Sequence, residues 1–154
     1  MARIETVSIV YQPPKILLGM KKKKFGKGRY NGFGGGVNDG ESLERCAIRE
    51  TSEEAGIIMI NPERMGRILF DFQDGEQDHL VYFFRALNFD GVPMESEEMK
   101  PEWFHIKDIP YEQMWPDDKH WLPILLEGRK FIGYFHFHKQ RKIAGYELNE
   151  IKNK

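Results

Sequence analysis

The chain has 154 residues, 40% of them apolar and 13% aromatic, and a formal net charge of −1. That length and composition describe one domain, 1–154, with material for its own core. The near-neutral charge leaves no electrostatic footprint for duplex DNA or RNA, so a nucleic-acid polymer is not an expected partner, whereas a small nucleotide needs only a few local positive groups. The single cysteine, Cys46, excludes an intramolecular disulfide framework and fits a reducing compartment. No signal-type stretch opens the chain and nothing approaches the roughly 18 apolar residues of a membrane span, so a soluble, cytoplasmic protein with no membrane partner is expected.

In chain order, residues 6–11 and 16–20 read as strands around the turn Gln12-Pro13-Pro14-Lys15. A loop dense in Lys and Gly follows at 21–38. A helix is predicted next, with Ser42 as N-cap and Gly56 as its stop. Residues 67–72 and 79–87 read as strands separated by the polar turn 73–78, and 102–106 as another. A short helix at 118–127 has Asp117 or Asp118 as its cap. Residues 130–138 and 143–148 complete the pattern as a closing hairpin. Strands mixed with two helices predict an α/β domain with a mixed sheet.

The first helix carries the densest chemistry. Glu50, Glu53 and Glu54 stand at i, i+3 and i+4, on one helical face, where like charges repel. At about 100° per residue, the apolar stripe is Leu43, Ala47, Ile48, Thr51 and Ala55, and the exposed back carries Arg45, Arg49 and Ser52. Cys46 is read as packed. Glu50 and Glu54 fall at the edge of the stripe, where a carboxylate needs a partner. Arg49 can pair with Glu53 but cannot neutralise all three acids. A hard divalent cation would remove the repulsion; Mg²⁺ suits carboxylates and arrives with substrate phosphates. A solvated acidic face is the alternative.

The spacing runs Gly35, five residues, Glu41, seven residues, Arg49-Glu50, two residues, Glu53-Glu54, one residue, Gly56-Ile57. This resembles the Nudix box, a long and specific motif; Thr51 departs from it by standing where a bulky aliphatic residue is usual. The resemblance implies an α-β-α sandwich with the box helix packed on a mixed sheet. It also implies Mg²⁺, with Mn²⁺ as a possible substitute, held by Glu50, Glu53, Glu54 and Glu98, and by a backbone carbonyl of Gly34 or Gly35. The base would be one of Glu53, Glu54 or Glu98, with Arg49 orienting the acids by salt bridging. From the residues alone, the glycines at 32 and 34–36 allow close backbone approach to a ligand. Of the run Lys21–Lys24, Lys21 is placed to reach phosphates as a point charge.

The segment M-W-P-D-D-K-H-W at 114–121 is the second informative feature. Adjacent acids before a helix have an ordinary role as caps. Beside the stacking surface of Trp115, a carboxyl pair can instead have its pKa values pushed apart, so that one acid donates and the other accepts along a purine edge. Further stretches extend the similarity to most of residues 6–148: Q-P at 12–13, L-L-G-M-K-K at 17–22, F-G-x-G-R at 25–29, N-G-F-G-G at 31–35, E-S-x-E-M at 95–99, W-F at 103–104, M-W-P-D-D at 114–118 and G-Y-F at 133–135. Here the chain is similar to the vertebrate-type MutT homologues, oxidised-purine nucleoside triphosphatases.

That similarity implies a base pocket formed by Asn31, Asp117 and Asp118 with Trp115 stacking. Phe25 and Phe70 would line it, Thr6 would contribute from the first strand, and Phe33, Gly34, Gly35 and Gly36 would lie along the nucleotide. Tyr30 and Gly36 depart from that group, which has Trp and Lys there. The implied reaction is hydrolysis of modified purine nucleoside triphosphates, such as 8-oxo-dGTP or 2-hydroxy-dATP, to monophosphate and pyrophosphate by a monomer. Two other readings stay open: a Nudix pyrophosphatase for ADP-ribose, a dinucleoside polyphosphate or an unmodified nucleotide, and a non-catalytic nucleotide- or cap-binding module. His136 and His138 share one side of a strand and are read as surface or stacking residues.

Overall fold

The computed structural model describes residues 1–152 except 25, 74, 139 and 140. Its strands are β1 (Arg3–Gln12), β2 (Lys15–Lys21), β3 (Tyr30–Asn31), β4 (Phe33–Gly36), β5 (Ile58–Ile60), β6 (Glu63–Phe72), β7 (His79–Ala86), β8 (Asn88–Asp90), β9 (Met99–His105), β10 (Lys130–Phe137) and β11 (Ile143–Ile151). Helices α1 (Leu43–Ala55) and α2 (Asp118–Leu126) complete the order. Nine strands form one sheet along β11-β10-β6-β7-β1-β2-β3, with β4 also on β1 and β9 on β2; β5 and β8 pair separately. The β1–β7 and β10–β6 pairs are parallel and the others antiparallel, so the sheet is mixed.

Strand alternation sorts the core into two layers. Ile9, Ile16 and Leu18 pack with Trp121, Leu122 and Leu125 of α2. Their neighbours Val10 and Leu17 pack with Ala47 and Ala55 of α1. Helices therefore cover opposite faces, giving the α-β-α sandwich. The α1 termini follow from local chemistry: Ser42 Oγ accepts from the Arg45 N–H at 3.1 Å, and Gly56 takes φ 71°, donating its N–H to the Ser52 carbonyl. The closing hairpin forms as β10–β11.

The segment 21–38, expected as a loop, contains β3 and β4. Its glycines are there to bring strands together: β4 pairs with β1 in the register Thr6↔Gly35 and Val7↔Gly34. A Cβ on Gly34 would lie 1.8 Å from the Thr6 carbonyl oxygen. The short strands β5 and β8 carry too few alternating positions to stand out in the sequence.

Gly34→Ala is expected to lower the unfolding free energy by about 3 kcal/mol, because backbone cannot yield as a flexible side chain can. Gly145, on the outer strand, has open space at its Cβ position. Gly145→Ala should instead stabilise by about 0.4–1 kcal/mol through the unfolded chain. Urea denaturation of both variants checks the pair.

Candidate active site

Arg49 organises the acidic face of α1. Its Nε and Nη2 donate to the two oxygens of Glu41 at 2.6 and 3.0 Å. Nη1 donates to Glu50 at 2.8 Å and Glu53 at 3.1 Å, and Nη2 also reaches the Gly36 carbonyl at 3.1 Å. The guanidinium is half-buried rather than on an exposed back, because Glu41 and β4 fold over it. Its hydrogen bonds hold the Glu41 carboxyl down at about 2. Glu53, the most exposed of the three helix acids, points to solvent with Arg49 as its partner.

Glu54 has no share in that network. It is 5% exposed, and its Oε1 accepts from the Gly34 N–H at 2.8 Å. Burial pushes its pKa up to about 8; the charges of Glu50 and Glu98 push the same way, against the Gly34 N–H and Lys21. Glu50, Glu98 and Lys21 are thus the charged groups that act on this buried carboxyl. Glu98 lies between lysines, 3.8 Å from Lys21 Nζ and 3.8 Å from Lys24 Nζ. Gly35 lies against Glu50: a Cβ there would sit 2.6 Å from the Glu50 carboxyl carbon, which the flexible side chain would have to move to admit. Among the described residues, no three His, Cys, Asp or Glu side chains converge on one point as they stand. The donors around Glu54 are nonetheless all oxygens, and the cradle at Gly35 stays open for lack of a side chain. Such oxygens are of the kind that suits a hard divalent ion.

The Asp117–Asp118 pair lies on the other face. Asp117 and Asp118 are each 6% exposed. The Trp121 indole N–H donates to Asp117 Oδ2 at 2.9 Å. Asp117 occupies the N-cap position of α2 with helical dihedrals (φ −76°, ψ −25°) and makes no side-chain cap bond, so the capping role fails for it. Burial raises both carboxyls, and the charge of Asp117 raises Asp118 further. Trp115 lies under Arg29, whose guanidinium carbon is 4.3 Å from the ring centre while Nη1 donates to the Met114 carbonyl at 3.0 Å. Asn31 donates its amide to the Arg29 carbonyl at 3.2 Å. Phe70 packs in this layer, its ring 5.8 Å from Phe135 and 6.0 Å from Phe137.

Three expected pocket residues are placed differently. Thr6 is fully buried on the α1 face, its hydroxyl 3.3 Å from Cys46 Sγ, because strand alternation points it away from Val7 and Ile9. Phe33 is fully buried in the α1-side core beside Val10 and Leu17. Gly36 gives its carbonyl to Arg49 and packs against Arg3. Phe25 lies outside the described residues. His136 pairs with Asp71 and His138 with Gln73. Two surface clefts, of ≈ 500 Å³ beside Ile60 and Arg85 and ≈ 370 Å³ beside Leu69 and Tyr134, are lined by none of the site residues. The sequence reading left out Trp121, although its i+4 spacing from Asp117 was visible, and Arg29, whose motif was noted without a role.

One segment lies between the acids of α1 and the Asp117–Asp118 pair. A Cβ on Gly32 would meet Val7 and Ile9 side chains on the α2 face, while Gly34 and Gly35 meet Glu54 and Glu50 on the α1 face. The chain from Asn31 to Gly35 therefore presents positions to both faces of the sheet by strand alternation.

An acid-bearing helix on a mixed sheet, with its buried glutamate tied to a glycine strand, marks a class. The chain belongs to the Nudix family, whose domain model matches residues 1–125. It is 45% identical over 150 residues to the mouse (Mus musculus) oxidized purine nucleoside triphosphate hydrolase, covering 97% of this chain and 96% of that one. Identity to the zebrafish (Danio rerio) protein of the same name is 43%, covering 99% and 97%. The crystal structure of a MutT protein from Bacillus halodurans superposes with a TM-score of 0.85 at 29% identity, covering 96% of this chain and 97% of that one.

The raised pKa of Glu54 has a measurable sign. The folded value of about 8 lies above the ordinary 4.5. Stability present below pH 4.5 is therefore lost as pH rises through 8, because the charged form is the one that burial penalises. Glu54→Gln, neutral throughout, should match wild type near pH 4.5 in EDTA and exceed it at about pH 9. Urea midpoints across this range test the expectation; a gap independent of pH would contradict it.

Proposed function

We propose that this protein is a Mg²⁺-dependent pyrophosphohydrolase of modified purine nucleoside triphosphates, with Mn²⁺ able to substitute, releasing the monophosphate and pyrophosphate. The observation that carries the substrate class is the buried Asp117–Asp118 pair beside Trp115 and Asn31. Burial raises both carboxyls and the charge of Asp117 raises Asp118 further, so a proton shared by the pair would let one acid donate while the other accepts. A donor and an acceptor side by side can read both parts of a purine edge. The names of the mouse and zebrafish relatives support the same substrate.

At the other end, Glu50, Glu53, Glu54 and Glu98, with the carbonyl of Gly34 or Gly35, would hold the metal. A bound divalent ion supplies charge screening on the phosphates and a more acidic water. Arg49 holds Glu50 and Glu53 in place, and Lys21, beside Glu98, reaches the phosphates as a point charge. Glu53, Glu54 and Glu98 are the candidates for the base. Trp115 stacks on the purine, and Phe70 supports the pocket from the sheet. The protein would act as a cytoplasmic monomer that keeps damaged nucleotides out of the pool.

Glu54→Gln should lower kcat by more than about tenfold, a loss above ~1.4 kcal/mol of barrier lowering, and excess EDTA should abolish turnover of the wild type. Retained activity in either experiment would remove the metal-carboxylate mechanism.

Asp117→Asn and Asp118→Asn should cut kcat/KM for 8-oxo-dGTP by roughly tenfold to a hundredfold, since each leaves a buried polar group mispaired at about 1–3 kcal/mol. dGTP should suffer less. The ratio of kcat/KM for the two nucleotides is the measurement. An unchanged ratio in both variants would make the acids structural and favour a different Nudix substrate.

A further inference from the structure

Glu98 reaches the site from the connection between β8 and β9, which has little regular structure of its own. Two sets of bonds hold that connection. On the helix side, the Met94 N–H donates to the Ala55 carbonyl at 2.8 Å. Ser96 Oγ donates to the Glu54 carbonyl at 2.9 Å and accepts from the Met99 N–H at 3.1 Å, while the Ser96 N–H donates to the Met99 carbonyl at 2.9 Å. The last carbonyls of a helix have no donor within the helix, so Ser96 completes the end of α1 while tying down the connection. On the strand side, Lys22 Nζ donates to the Ser96 carbonyl at 2.8 Å and to Glu95 Oε2 at 2.5 Å, and the Lys22 N–H donates to the Glu98 carbonyl at 2.8 Å.

Ser96 and Lys22 meet at one peptide unit and bracket Glu98 from both sides. The neighbouring pair Lys23–Glu97, at 3.6 Å with side chains 55% and 90% exposed, is solvated and holds little. Lys22 differs because its ammonium also binds a backbone carbonyl, and charge-assisted bonds of this kind are the stronger ones.

We propose that Ser96 and Lys22 are positioning residues for Glu98, clamping its backbone between α1 and β2 so that its carboxyl faces Glu54. The inference rests on the proposed role of Glu98. A merely structural clamp would change stability and leave the chemistry of folded enzyme intact; a positioning clamp changes turnover through Glu98 alone.

The test compares Ser96→Ala, Lys22→Met, Lys22→Arg and Glu98→Gln, with the double variant Ser96→Ala/Glu98→Gln, in steady-state hydrolysis of 8-oxo-dGTP with Mg²⁺. Amide exchange on the metal-free proteins accompanies it. Ser96→Ala and Lys22→Met should each lower kcat by about tenfold with KM changed less than about twofold. Lys22→Arg should recover most of the loss. Ser96→Ala should cost nothing further once Glu98 is Gln, since the two act as one unit. In metal-free Ser96→Ala the Met99 and Lys22 amides should exchange faster while the α1 amides keep their protection.

Wild-type kcat in both single variants, with Glu98→Gln impaired, overturns the proposal alone. So does a loss in the double variant equal to the product of the two. Wild-type turnover by Glu98→Gln overturns the assigned role of Glu98, and the clamp falls with it. Should Ser96→Ala not fold, the Lys22 variants, altered at a side chain 34% exposed, decide the question by the same criteria.

Discussion

The fold of the acidic helix depends on where Arg49 puts its five donors. Glu41, Glu50 and Glu53 would repel one another along α1 and its approach, and one guanidinium draws all three together while reaching across to the Gly36 carbonyl of β4. Arg is suited to this because its donors form a planar fork that stays charged. By gathering those acids, Arg49 fixes the helix against the glycine strand. Glu54 is left outside the network, where burial raises its pKa to about 8. The site thus holds both kinds of carboxylate: charge-paired acids at its edge and one costly acid at its centre.

The second constraint is the thinness of the segment from Asn31 to Gly35. With side chains on Gly32 and Gly34, the strand could not lie against β1. With glycines it lies in the sheet beside β1, between the acids of α1 on one face and the Asp117–Asp118 pair on the other. Both ends then share a physical character: carboxyls withdrawn from water and raised by burial. At the acid end a backbone N–H tempers that rise; at the base end the Trp121 indole does so.

The elements that the sequence made legible are those whose signals are local. Ser42 and Gly56 bound α1 because a cap hydroxyl and a left-handed glycine act within one turn. The strands at 6–11, 16–20 and 79–87 were readable from short-range apolar patterning, although β1 and β6 extend further than their patterns do. What was misread depended on partners far along the chain. The glycine loop is a strand only because β1 lies beside it. The pleat turns Thr6 and Phe33 toward α1, which only the strand register decides. Arg49 was placed on the exposed back of the helix because β4 cannot be seen from helical geometry alone.

By itself, the sequence determined the family-specific acid spacing, the helix that carries it and the identity of the paired aspartates, since each is a matter of residues within one or two turns of one another. The tertiary structure alone decided which of those acids is buried, that Asp117 binds an indole rather than capping a helix, and that Ser96 and Lys22 meet beside Glu98. Those outcomes depend on burial and on contacts that span from 4 to 74 positions of chain, and desolvation is a property of the surroundings that no local pattern encodes.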